Sequence, residues 1–128
     1  MLKSNNKYGG NIIMSDEQTI IKDIKSIIDT FVEERDWKQF HSPKNLSMSL
    51  SIEAAELMEL FQWLSLDDAR KVMESGQTRE DAIDEIADVL IYAFAFCIRN
   101  KIDISDAIKQ KMKKNIKKYP AEDYRGHF

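Results

Sequence analysis

The chain has a single cysteine, so no internal disulfide is possible. It has two prolines, four glycines and two histidines, which excludes a collagen-like chain, a disulfide scaffold and a Cys/His zinc module. No G-x-x-x-x-G-K-[ST] segment occurs, so a P-loop NTPase is dismissed. No apolar h-region marks the N-terminus, and no secretory signal is expected. The longest apolar stretch, Ile86 to Ile98, contains Asp88 and is shorter than the ~20 residues a membrane span needs. A cytoplasmic protein without a membrane partner is expected.

What the chain does have is enough apolar sequence for one core. Its 128 residues are 43% hydrophobic, which fits one domain. Charge is nearly balanced, with 19 basic and 22 acidic side chains, and this argues against a dedicated nucleic-acid partner. The balance conceals a segregation. Lys109, Lys111, Lys113, Lys114, Lys117 and Lys118 crowd into one stretch, and without them 13 basic side chains face 22 acidic ones.

Apolar residues recur with helical period in most of the chain, and no segment alternates with period two. Ser15 with Gln18 has capping-box spacing, which predicts a first helix over 16–35. The stretch 37–41 loses the period and reads as a loop. Ser42-Pro43 opens a second helix, 43–64, and a short helix over 65–75 stops at Gly76. Thr78 is expected to cap a long helix to Asn100. Asp103 or Ser105 starts a last helix, ended at Lys118 by Tyr119-Pro120. The predicted fold is all-α, a bundle of four to five helices. Residues 1–14 are read as a flexible N-terminal tail, 15–120 as the domain and 121–128 as a C-terminal tail. Met14 is a candidate alternative start.

Four acids break the amphipathic pattern. On a helical wheel Leu46, Leu50, Leu57, Leu60 and Leu64 cluster within about 40°. Glu53 falls inside that stripe and Glu56 at its margin. Residues 86–98 are apolar nearly all round, which predicts a buried helix, yet Glu85 and Asp88 lie one turn apart on it with Tyr92 following on the same face. A carboxylate in a core stripe is costly unless something pairs with it. The pattern Glu53-x-x-Glu56 and Glu85-x-x-Asp88 lets each pair reach one point. Four hard oxygen donors suit Mg²⁺, with Mn²⁺ as a substitute, and suit zinc poorly. Mg²⁺ takes further ligands from phosphates, so a phosphate-bearing substrate is expected. The alternative is a set of ordinary solvated helix charges.

The acid pairs, Glu34-Arg-Asp-Trp37-Lys-Gln-Phe-His41, Glu56-Leu-Met-Glu-Leu-Phe-Gln-Trp63, Asp88-Val-Leu-Ile-Tyr92 and Lys111-Met-Lys-Lys-Asn115-Ile-Lys-Lys-Tyr119-Pro120 occur in one order. Over roughly residues 20–120 the chain resembles the MazG-like all-α NTP pyrophosphohydrolases, nearest their dCTP pyrophosphatase-like members. The resemblance implies Mg²⁺-dependent hydrolysis of a (deoxy)nucleoside triphosphate, such as dCTP or a modified relative, to the monophosphate and pyrophosphate. Nucleotide-pool cleansing would be its role. It implies that Glu53, Glu56, Glu85 and Asp88 bind the metal and that Trp37, Phe40, His41 and Trp63 enclose base and sugar. Tyr92 would lie near the nucleotide, Lys118 would contact phosphate oxygens and Asn115 would orient them. A homodimer or homotetramer is implied as well.

Two departures stand out. Ile52 and Ala55 occupy positions where relatives often have glycine, and Ile28 stands where animal dCTP pyrophosphatases carry a histidine. The second argues against strict cytosine selectivity. A dUTP or dUDP hydrolase of the same superfamily and a non-catalytic regulatory helical module are the competing readings.

Overall fold

The computed structural model describes residues 14–127, so the expected tail over 1–14 lies outside them apart from Met14. The described residues form α1 (Ile21–Glu34), a short 3₁₀ helix (Trp37–Phe40), α2 (Pro43–Glu59), α3 (Leu66–Lys71), α4 (Gln77–Arg99), α5 (Ile104–Lys118) and α6 (Ala121–Tyr124). No strand occurs among them, as the missing period-two pattern predicts.

The boundaries follow local chemistry. Ser15 does not cap α1. Its N–H instead donates to the Thr19 hydroxyl at 3.2 Å, and its carbonyl accepts from Thr19 N at 2.9 Å, closing a separate turn. The chain is then extended at Ile20, whose N–H reaches the Asp23 carboxylate at 3.3 Å, and α1 starts there rather than at 16. Ser42 caps α2 as expected, accepting from Asn45 N at 3.1 Å with Pro43 in the first turn. The regular helix ends at Glu59. Beyond it Phe61 and Gln62 both donate to the Met58 carbonyl, so 60–64 winds as tight turns and not as helix. The 3₁₀ helix lies where a loop is expected, and α6 lies in the segment expected as a tail.

The residue that caps α4 is Gly76, not Thr78, and the helix begins at Gln77. Gly76 sits at φ 98°, a left-handed value that glycine adopts without steric cost. At its other end Lys101 takes φ 54° and Ile102 N donates back to Cys97 O at 2.9 Å, a Schellman-type closure. The Lys25 ammonium donates to the Ile102 carbonyl at 2.9 Å and pins this turn to α1.

α2 packs along α4, with α1 on α4 beside it. Ile28 and Val32 of α1, Leu46 of α2 and Ala95 of α4 form the buried core, flanked by Tyr92, Phe94, Phe96 and Ile98. α4 is not buried all round, contrary to expectation. Ile83, Ile86, Leu90 and Ile91 stay exposed because only α1 and α2 cover it. α5 packs only marginally on the other helices, and Ile108, Met112 and Ile116, one turn apart, are exposed along it. No helix is long and apolar enough to cross a membrane among the described residues.

Candidate metal and nucleotide site

The packing of α2 on α4 brings the acids together. Carboxylate oxygens of Glu53, Glu56 and Glu85 lie within 4.8 Å of one another. Asp88 stands just outside this triad and acts on both Glu53 and Glu85 through its charge. Each acid comes from a helix interior, so the backbone holds it rigidly. The cost of that placement is visible. Glu85 Oε2 is buried with no hydrogen-bond partner. Desolvation, then the hydrogen bond and charge of Glu56 and the charges of Asp88 and Glu85, raise the Glu53 carboxyl above its ordinary value. Glu85 is raised too, by desolvation and then by Glu56 and Asp88, with a hydrogen bond from Glu53 opposing. No lysine or arginine forms a described ion pair with any of the four. Three carboxylates gathered in this way offer an all-oxygen donor set, which fits a hard divalent ion.

Two cavities, of about 380 and 360 Å³, share part of one wall, and the second reaches the acids through Asp88. Trp37, His41 and Tyr92 line both, Phe40 lines the first, and Asp88 lies in the wall of the second. The second is otherwise apolar, closed by Ile27, Ile28, Phe31 and Ile91. His41 Nδ1 is buried without a partner. Desolvation and then the charge of Arg99 lower the His41 pKa, so the imidazole is neutral at neutral pH.

The remaining candidates stand apart. Trp63 is 88% exposed at the end of the turns after α2 and lines neither cavity. Asn115 and Lys118 lie on α5, also outside both cavities, with the Lys118 ammonium 5.1 Å from the Tyr119 ring. Two contributors were not legible in the sequence. Phe31 packs edge-to-face on Trp37 with ring centroids 5.7 Å apart, and Asn45 donates from Nδ2 to the Phe40 carbonyl at 2.9 Å. Phe31 carried only the helical period of α1, which marks a face and not its partner.

The profile of the MazG-like family matches residues 48–127, a stretch that contains all four acids. The chain belongs to the MazG-like family. Its MazG-like relatives include the dCTP pyrophosphatase 1 of Rattus norvegicus, 41% identical over 119 residues that cover 91% of this chain and 68% of the relative. The Homo sapiens protein of the same name is 39% identical over 112 residues, 88% of this chain and 65% of that one. This chain thus spans about two thirds of the length of these relatives. A crystallised pyrophosphatase from Archaeoglobus fulgidus superposes with a TM-score of 0.75 at 39% identity, over 84% of this chain and 99% of that one. The MazG-like match begins after Trp37, Phe40 and His41, whereas the superposition and the alignments extend over most of the chain.

Proposed function

We propose that this protein hydrolyses a (deoxy)nucleoside triphosphate, dCTP or a related modified deoxynucleotide, to the monophosphate and pyrophosphate. The carrying observation is a cluster of three carboxylates on the same pair of helices as Asp88, which lines an aromatic-walled cavity of nucleoside size. Glu53, Glu56, Glu85 and Asp88 would hold Mg²⁺, or Mn²⁺ in its place. The ion supplies Lewis-acid polarisation of the phosphate and a lowered pKa for the attacking water. One of the four acids would accept a proton during hydrolysis, and Asp88 lines the second cavity. Trp37 and Phe40 offer faces on which a base stacks, a mode that tolerates any base. The neutral His41 imidazole would add one hydrogen bond inside the cavity, and Tyr92 lines both cavities. Such an activity would serve the cleansing of free nucleotide pools in the cytoplasm.

A panel of canonical and modified nucleoside triphosphates with Mg²⁺, read by pyrophosphate release, tests the reading. Release from deoxynucleotides is the expected result. No release from any member would sink it, and hydrolysis of a diphosphate as fast as its triphosphate would move the protein to the dUTP/dUDP class.

Trp37→Ala is expected to raise KM roughly tenfold with little change in kcat, as loss of uniform binding does. Trp63→Ala should also raise KM, although Trp63 lines neither cavity in the single chain. A second chain, or movement of the turns after α2, would have to bring it in. An unchanged KM for Trp63→Ala assigns that residue to packing alone.

The same logic applies to α5, where Lys118 and Asn115 would meet the phosphates. Exposed apolar residues on α2, α4 and α5, among them Ile52, Leu90 and Ile116, support self-association as a homodimer or homotetramer. Light scattering at micromolar concentration should give a mass above one chain, and a monomer contradicts this part of the proposal.

A further inference from the structure

The aromatic wall of the cavities rides on a segment with little regular backbone of its own. It leaves α1 through Asp36, a non-glycine residue at φ 53°, and makes a single 3₁₀ turn before α2. A short segment entered through a left-handed residue keeps its place only if side chains hold it. Part of that hold is visible around Trp37. The Arg35 guanidinium lies 3.7 Å from the centre of the Phe31 ring, against whose edge or face Trp37 packs. Asn45 holds the Phe40 carbonyl at the other end, and Lys38 supplies a further hold. Its ammonium lies 3.7 Å from Asp29 Oδ1 and 3.4 Å from Glu33 Oε1. Asp29 and Glu33 are one turn apart on α1, so one cation bridges two carboxylates that would otherwise repel. Lys38 itself lines neither cavity.

We propose that Lys38 is a positioning residue for nucleoside binding: its bridge to Asp29 and Glu33 holds Trp37 and His41 against α1 in their binding arrangement. This rests on the reading of Trp37 and His41 as nucleoside-facing. An isolated exposed ion pair contributes little. Lys38 differs because its side chain is only 33% exposed, it serves two acids, and it is the immediate neighbour of Trp37. Moving it moves the indole. The bridge needs a cation of sufficient reach and no particular geometry, so arginine should replace lysine here.

The test uses the full chain with Mg²⁺ and dCTP, comparing Lys38→Ala, Lys38→Arg and Trp37→Ala. Lys38→Ala is expected to raise KM roughly three- to tenfold with kcat within about twofold, and Lys38→Arg to restore KM to within about twofold. Inhibition by inorganic pyrophosphate, which engages the acidic end alone, should be unchanged in both Lys38 variants. An unchanged KM in Lys38→Ala while Trp37→Ala raises it overturns the positioning role and leaves the site reading intact. Weakened pyrophosphate inhibition in Lys38→Ala also overturns it, because the effect would then lie at the acids. An unchanged KM in Trp37→Ala removes the nucleoside-facing reading and this proposal with it. If Lys38→Ala loses its helical circular dichroism, the pair Asp29→Asn/Glu33→Gln breaks the same bridge from α1, and an unchanged KM there overturns the proposal.

Discussion

Glu53→Gln is expected to lose pyrophosphate release almost entirely while making the cation-free protein more resistant to heat. The two effects have one origin. Glu53, Glu56 and Glu85 are held within 4.8 Å of one another, and Glu53 and Glu85 have carboxyls raised by desolvation and by neighbouring acids. An amide at position 53 keeps the shape, removes one charge from the cluster and weakens cation binding. Electrostatic stabilisation of several kcal/mol depends on such a site, so a loss of about three orders of magnitude in rate is expected. Asp88→Asn should be similarly inactive, with a smaller gain in heat resistance because Asp88 stands outside the triad. Full activity in either variant removes the mechanism. A lowered Tm for Glu53→Gln without cation would show that Glu53 has a stabilising partner in the fold.

The pH dependence follows from the direction of the shifts. A carboxyl whose folded pKa lies above its unfolded value resists ionisation in the folded state. The contribution of Glu53 and Glu85 to cation-free stability is therefore fully present below the ordinary carboxylate range and is lost as pH rises through the interval above it. Added Mg²⁺ relieves the same repulsion. Its stabilising effect should be large near neutral pH and fade toward acid pH, as Glu53 and Glu85, whose carboxyls are raised above the ordinary value, take up protons. Thermal melts with and without Mg²⁺ at several pH values check this.

The two acid pairs were legible because a carboxylate in an apolar stripe contradicts its own helix. Glu53 between Leu50 and Leu57 is such a conflict, and the structure places it against Glu85 of α4. Ser42-Pro43 and Tyr119-Pro120 were equally legible, since their punctuation acts through the local backbone. Ser15 misled because a serine offers its hydroxyl and backbone to any nearby turn, and Thr19 competes for them. The apolar circumference of α4 predicted burial that α1 and α2 do not provide. Periodicity records which faces avoid water but not which chain covers them. For the same reason Trp63 and the apolar face of α5 look idle in one copy, and their exposure is what supports self-association.

Leu46→Ala is expected to cost about 3 kcal/mol of stability, a large share of the roughly 5–15 kcal/mol a domain of this size has. Leu46 is the best-buried large side chain among the described residues, 2% exposed, and it meets Ile28, Val32 and Ala95 where α1, α2 and α4 converge. Its backbone N–H donates to the Ser42 carbonyl at 2.9 Å, so it sits on the first turn of α2 and cannot follow the hollow inward. Leu46 also lines the cavity that Trp37 and Tyr92 share, and the space it vacates opens into that cavity. Truncation should therefore raise KM as well as lower the urea midpoint. Leu46→Met, which keeps the volume, should recover most of both losses. Unfolding must be compared at fixed chain concentration, because an associating chain gains stability by mass action. A loss below about 1 kcal/mol would mean that contacts between chains hold the fold and that the small core around Leu46 does not. A full loss with unchanged KM would separate the core from the cavity wall and leave Trp37 positioned by the α1 contacts alone.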